Sequence, residues 1–142
     1  MKYDERELLI IWLDSFKEID YKSKRAIFDI LVGKSDLKNN IEKNKQVIAG
    51  LIGDAGYNAL SSSANGEYLK ETVTALDTAG EIAVTLESKD YPENLKEIPE
   101  PPFALYCKGN IELLNSEIFG VVGREFTDVA VDSARIFGRT CK

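Results

Sequence analysis

Gly123 and Arg124 are the residues of this chain whose types and position best suit the binding of a charged ligand. They directly follow a short apolar run, Ile118 to Val122, that has the pattern of a buried strand. Ligands of open α/β sheets collect at the carboxyl ends of strands, where glycine lets the backbone approach a phosphate and arginine donates bidentate hydrogen bonds. The spacing therefore indicates a phosphate-binding turn. It also fits a turn that Gly123 merely permits, with Arg124 as a solvated surface charge, because a Gly-x-Gly-x-x-Gly fingerprint is absent.

Two further groups of side chains have types that suit nucleic acid. Lys22, Lys24 and Arg25 form a basic cluster at the predicted start of a helix. The cluster fits contacts to backbone phosphates, but also a solvated helix end that Asp20 partly offsets. Tyrosines can stack on bases, although scattered tyrosines at core-facing spacing more often serve packing. The tyrosines in question are Tyr21, Tyr57, Tyr68, Tyr91 and Tyr106.

The composition argues against several classes of chemistry. The 142 residues include no histidine, which removes the commonest near-neutral base, the commonest zinc ligand and any Ser-His-Asp arrangement. The two cysteines, Cys107 and Cys141, lie far apart in sequence and predict neither a zinc site nor a disulfide framework. The 24 carboxylates fall in no spacing that singles out an acid–base pair. We therefore expect no enzyme activity, no metal and no cofactor.

Charge and hydropathy limit the partners and the compartment. With 44% hydrophobic and 30% charged residues, the chain can bury a core. Its net charge of −6 excludes a strongly basic surface, so any phosphate contact must depend on a local patch. The N-terminus is too charged for a signal peptide, and no window approaches the ~20 apolar residues of a membrane span. We expect a cytoplasmic protein without membrane contact.

Hydrophobic periodicity predicts four short amphipathic helices in residues 1–80, packed as a small bundle. Each begins at a capping residue or ends at a glycine. The first begins at Asp4, with Glu7 three residues on, and the second runs from Ser23 to Val32 and ends at Gly33. The third runs from Ser35 or Asp36 to Ile52, with breaks at Gly53 and Gly56. The fourth ends at Gly80.

The hydrophobic period changes at residue 81. Three strands are predicted, at Ile82 to Leu86, Phe103 to Cys107 and Ile118 to Val122. A short helix fits between the first two, and a helix capped by Thr127 or Asp128 follows the third, over residues 127–139. This order predicts an α+β or α/β chain in two domains: helices in residues 1–80, then the beginning of a parallel sheet in residues 81–142. Since such sheets need more strands, we expect this second part to be incomplete.

Several motifs in residues 80–142 occur together in one order. They are Tyr91-Pro92-x-x-Leu95-x-x-Ile98, then Pro101-Pro102-x-x-Leu105-Tyr106-x-x-Gly109, then Leu113-Leu114, then Ile118 to Arg124. In order and spacing they resemble the DNA-processing protein A (DprA/Smf) family. The resemblance implies a helical N-terminal domain, of sterile-alpha-motif (SAM) or helix-hairpin-helix (HhH) type, before a Rossmann-like domain. It also implies that the proline crossing, Pro99 to Pro102, connects the short helix to the second strand.

The resemblance further implies a function. Members of the family bind single-stranded DNA and hand it to the recombinase RecA in recombination, competence and natural transformation. The arginine of their Val-Gly-Ser/Thr-Arg turn contacts the DNA backbone, and that role maps onto Arg124, with Gly123 as the glycine of the turn. The implied partners are single-stranded DNA, RecA and a second copy of the chain, the last through a C-terminal part that this sequence does not contain.

The chain departs from the family pattern in three places. The Ser or Thr between Gly123 and Arg124 is missing, Val129-Ala130 stand where Tyr-Gly is usual, and a glycine-rich region that completes the DNA pocket would lie beyond Lys142. We therefore expect that this N-terminal portion need not bind DNA by itself. Two other functions remain open: a phosphate- or nucleotide-binding fragment of a Rossmann-like enzyme that uses the same turn, and a protein-interaction module whose helical bundle is the working part.

Overall fold

The structure of the protein is a computed structural model that describes residues 2–117 and 127–140. The third predicted strand, Ile118 to Val122, lies outside the described residues. The described elements are α1 (Glu5–Asp14), α2 (Tyr21–Leu31), α3 (Leu37–Lys43), α4 (Lys45–Ser63), α5 (Gly66–Ala79), β1 (Ile82–Thr85), α6 (Glu93–Lys96), β2 (Ala104–Cys107), a 3-10 helix (Ile111–Asn115) and α7 (Asp128–Thr140).

The start of α1 confirms the predicted cap. One Asp4 carboxylate oxygen accepts the N–H groups of Arg6 and Glu7, each at 2.9 Å. In return the Glu7 carboxylate accepts the Asp4 N–H at 3.1 Å, which completes a capping box. The helix then buries five consecutive residues, Leu9 to Leu13. A helix buried on several sides must lie centrally among its neighbours, and α1 contacts α2, α5 and both strands.

The predicted third helix is in fact two helices, so five helices rather than four precede β1. The chain leaves the helical conformation at Asn44, whose side-chain amide donates to the Asn40 carbonyl at 2.8 Å. Such local side-chain bonds offer the backbone an alternative to the helical ladder. The predicted break at Gly53 is present as a kink in α4, where Gly53 has φ +73°. Gly56 stays within the helix, because glycine permits a break without requiring one.

The first two strands pair in antiparallel fashion, which corrects the parallel arrangement predicted for them. Ile82 lies opposite Cys107 and Thr85 lies opposite Ala104. The Leu86 N–H donates to the Phe103 carbonyl at 3.0 Å and extends the pairing beyond the strand ends. A parallel pair needs a crossover connection, usually a full helix, whereas α6 is a single turn. The described part of the chain is therefore an α+β arrangement, mainly helical with one two-stranded sheet.

The connection between the strands has the course predicted for the proline crossing. Tyr91 is fully buried, and its hydroxyl donates to the Pro102 carbonyl at 2.7 Å, which ties the start of the connection to the end of the proline crossing. Burial also raises the pKa of the Tyr91 hydroxyl. Pro92 precedes the first residue of α6, and Pro101 is buried just ahead of β2. Gly109 follows β2 with φ +108°, a conformation that explains why this position of the motif is a glycine.

The strand pair packs against the helices that precede it. One buried cluster contains Trp12 of α1 together with Phe103 and Ala104 at the start of β2. The rings of Phe103 and Tyr21 of α2 meet edge to face, with 5.2 Å between their centroids. Apolar contacts thus join residues before position 80 to residues after it. The division into domains 1–80 and 81–142 stays a prediction.

A second buried cluster fixes β1 to the N-terminal segment. Tyr3, Ile11, Leu76 and Ala83 lie together in it. The Ala83 N–H donates to the Tyr3 hydroxyl at 2.9 Å. Because alternate residues of an antiparallel strand direct their N–H groups away from the partner strand, this bond satisfies an amide on the outer edge of β1.

Candidate nucleic-acid interface

The two residues of the predicted phosphate-binding turn, Gly123 and Arg124, lie outside the described residues. The helix predicted to follow the turn is confirmed as α7, and Thr127 caps it as expected. The Thr127 hydroxyl oxygen accepts the Ala130 N–H at 3.2 Å, and its carbonyl accepts the Val131 N–H at 3.0 Å.

The charges at the ends of α7 complement the helix dipole. Asp128 stands in the first turn and Arg139 in the last. A carboxylate at the N-terminal end lowers the positive potential that a phosphate would meet there. The described end of α7 by itself is therefore a weak site for an anion.

The basic cluster at the start of α2 is largely neutralised within the fold. Lys24 is buried, and its Nζ lies 3.3 Å from a carboxylate oxygen of Asp14. Arg25 pairs with Asp29 one turn further along the helix, at 3.5 Å. Of the three cations, Lys22 alone is exposed and forms no ion pair within the described residues. The structure thus favours a helix end with internal pairing over a phosphate-binding cluster.

Asp20 also acts inside the fold, as the cap of α2. Its carboxylate accepts the Ser23 N–H at 3.0 Å and the Ser23 hydroxyl at 2.7 Å. These two bonds hold the pKa of Asp20 below its ordinary value, the hydroxyl contributing most. The Ser23 amide in the first turn of α2 is thereby occupied by a protein carboxylate.

The tyrosines divide into packing residues and one exposed ring. Tyr57 and Tyr91 are buried, and Tyr21 is half-buried against Phe103. The side chain of Tyr68 lies outside the described part. Tyr106 on β2 is 42% exposed, and is the most exposed tyrosine among those whose side chains the structure describes.

Asp14 joins three parts of the fold in a way that the sequence did not indicate. Its carboxylate accepts hydrogen bonds from Lys17 Nζ at 3.0 Å, Lys24 Nζ at 3.3 Å and the Tyr106 hydroxyl at 3.1 Å. Lys17 Nζ also lies 5.7 Å from the centroid of the Tyr106 ring. Because Tyr106 is 92 positions away in the chain, no spacing pattern could have revealed the group.

Cys107 is the cysteine that the structure describes, and it is not an activated thiol. Cys107 is half-buried on β2, and burial raises the pKa of its thiol, which keeps it protonated near neutral pH. Within residues 2–117 and 127–140, no three His, Cys, Asp or Glu side chains are grouped so that they could hold a metal ion. No helix in the described residues has the length and apolar character to cross a bilayer.

The described residues thus form a mainly helical α+β arrangement in which an antiparallel strand pair, joined by a connection rich in tyrosine and proline, precedes a capped helix. Residues 82–142 match the family model of DNA recombination-mediator protein A, which confirms the family resemblance predicted for this part of the chain. The matched region begins at β1 and includes the proline crossing, Gly123, Arg124 and α7. No curated protein and no solved structure shows a significant similarity to the chain. The match supports a general role in DNA recombination.

Proposed function

We propose that this chain is part of a recombination mediator that binds single-stranded DNA and delivers it to RecA, in recombination and natural transformation. It contacts the DNA backbone through Arg124 and the glycine turn at Gly123. The protein acts in the cytoplasm and makes no covalent change to the DNA. A second copy of the chain is a further partner that the family resemblance implies.

The observation that carries the proposal is the family match over residues 82–142, which spans the Gly123–Arg124 turn. The helix that follows the turn begins where the family resemblance requires it, with Thr127 as its cap. A glycine turn with a free guanidinium ahead of a helix is a general arrangement for binding a phosphate. The missing Ser or Thr leaves one hydroxyl donor fewer at this turn, so affinity depends all the more on Arg124.

The physical basis of such binding is electrostatic. Arginine and lysine side chains release counterions from the phosphate backbone, so the affinity falls as salt concentration rises. The net charge of −6 opposes the approach of a polyanion, so the affinity for DNA depends on each cation that is not paired within the protein. We therefore expect this chain to bind single-stranded DNA weakly, and only at low salt.

The test is a fluorescence anisotropy titration of a labelled single-stranded oligonucleotide at two salt concentrations. The wild-type chain is expected to bind at the lower concentration and to lose affinity at the higher one. Arg124→Ala is expected to weaken binding by about tenfold, the effect of one charge-assisted contact worth ~1.4 kcal/mol.

Arg25→Ala is the matched control, because it removes the same charge from a residue that is already paired with Asp29. Its affinity should stay within about twofold of the wild type. Equal losses in the two variants would show that only net charge matters. No binding of the wild type at low salt would contradict the proposal for this chain.

A further inference from the structure

Four exposed lysines that form no ion pair within the described residues lie close together in sequence, between the end of α2 and the start of α4. They are Lys34, Lys38, Lys43 and Lys45. By contrast, the cations of the α2 cluster are mostly paired with carboxylates. The four lysines thus keep their charge available to an outside partner.

The carboxylates of the same stretch offset half of these charges. Residues 34–45 contain four lysines and two carboxylates, a net charge of +2 in a chain whose net charge is −6. Asp36 is one of the two, and its carboxylate accepts the Asn39 N–H at 3.0 Å as the cap of α3. The other, Glu42, forms no ion pair in the described part of the chain. The stretch is therefore a local basic patch of the kind that an acidic protein needs for phosphate contact.

Helix α3 directs its lysines toward solvent. Ile41 is buried and Leu37 is half-buried, so the side of α3 that they occupy faces the core. Lys38 and Lys43 are both exposed, and their five-residue separation places them about 140° apart around the helix axis. The seven residues of α3 rise only about 10 Å, so Lys34 to Lys45 span a short segment of the chain. Lys45 is held in place by the Tyr57 ring, with Nζ 5.4 Å from the ring centroid.

We propose that this lysine surface, Lys34 to Lys45, binds the phosphodiester backbone of single-stranded DNA as a second contact besides the Gly123–Arg124 turn. The proposal rests on the proposed function for its choice of ligand. A membrane surface fits less well, because a helix that lies on a bilayer must bury an apolar face in it, and the apolar side of α3 already faces the core.

The experiment compares two triple variants in the same anisotropy titration across a range of salt concentrations. The first, K34Q/K38Q/K43Q, removes three lysines of the surface. The control, K70Q/K89Q/K108Q, removes three exposed lysines elsewhere, so that both variants have the same net charge. Lys45 is left unchanged because of its contact with Tyr57. Circular dichroism checks that both variants are folded.

The first variant is expected to lower the slope of log affinity against log salt concentration by about 2, at ~0.7 for each lost phosphate contact, while the control keeps the wild-type slope. Equal slopes in all three proteins, or equal changes in both variants, would overturn the lysine surface as a DNA contact. A vesicle-binding assay with anionic phospholipids gives a further outcome. If the lysine variant loses vesicle binding, and the oligonucleotide does not compete with the vesicles for the wild type, the lysine surface as a DNA contact is also overturned.

Arg124→Ala in the same titration separates the two proposals. A loss with Arg124→Ala but none with the lysine variant overturns only the lysine surface. The reverse result overturns the role of Arg124 and supports the lysine surface. Absence of any binding by the wild type overturns both.

Discussion

Asp14 is the residue on which the polar contacts of this fold converge. Its side chain is largely buried and accepts hydrogen bonds from Lys17, Lys24 and Tyr106. Burying a carboxylate and an ammonium group costs much of their hydration free energy, so each depends on the other being present. Removing one partner should therefore cost far more than removing a partner from an exposed pair.

Asp14→Ala is expected to lower the free energy of unfolding by about 2 to 4 kcal/mol, because it leaves the Lys24 ammonium group buried without a counter-charge. Chemical denaturation followed by circular dichroism measures the change. Asp29→Ala is the control, since the Arg25–Asp29 pair is exposed on α2 and should contribute less than about 1 kcal/mol. Equal effects of the two substitutions would show that the Asp14 contacts add nothing beyond a surface ion pair.

The roles of single residues were predictable from the sequence only where they depend on nearby positions in the chain. The cap at Asp4, the cap at Thr127 and the stop at Gly33 were predictable, because each depends on atoms a few residues away. The pairing of Lys24 with Asp14 was not, since it depends on how two helices pack. Gly123 and Arg124 remain a prediction of the sequence and the family match.

At the scale of elements, α2 shows how one cap couples a helix to pH. Asp20 accepts two hydrogen bonds from Ser23, and they hold its pKa below the ordinary value of 3.8. A carboxyl whose pKa is lower in the folded state adds stability above its ordinary pKa. That stability is lost as the pH falls through the lower, folded value.

Asp20→Asn is therefore expected to reduce the loss of stability on acidification below about pH 4, because asparagine caps a helix without titrating. Thermal unfolding between pH 7 and pH 2 measures the difference. Ser23→Ala, which removes the hydroxyl donor but keeps the backbone bond, should change the acid dependence in the same direction and by less. Identical acid profiles for wild type and Asp20→Asn would contradict the role given to this cap.

The helices and strands themselves were predictable where the spacing of hydrophobic residues keeps one period without interruption. The spans of α2, α5 and α7, and the positions of β1 and β2, agree with the hydrophobic pattern within a few residues. The division between α3 and α4 was missed because the pattern runs through Asn44, where a side-chain bond interrupts the helix. The antiparallel pairing was missed because strand order alone does not reveal how the connection between Leu86 and Phe103 folds back.

At the scale of the whole molecule, the helices and the strand pair share a core. Trp12, the single tryptophan, is fully buried in the same cluster as Phe103. The cluster joins residues from both predicted domains, so a destabilising substitution in one domain should also lower the stability of the other. The fluorescence of Trp12 reports on the helical side, and a substitution at Phe103 perturbs the strand side.

Phe103→Ala is expected to lower the free energy of unfolding reported by Trp12 fluorescence by about 3 to 5 kcal/mol, the cost of deleting a buried aromatic ring. Leu113→Ala serves as the control, because Leu113 is 57% exposed on the 3-10 helix and its truncation should cost less than about 0.5 kcal/mol. If residues 1–80 and 81–142 unfold independently, Phe103→Ala will leave the Trp12 transition unchanged. If they unfold as one unit, fluorescence and circular dichroism will give the same, lowered midpoint. The second outcome would mean that DNA bound near Arg124 can stabilise the helical part through this shared core, because a ligand of the native state stabilises everything that unfolds with its site.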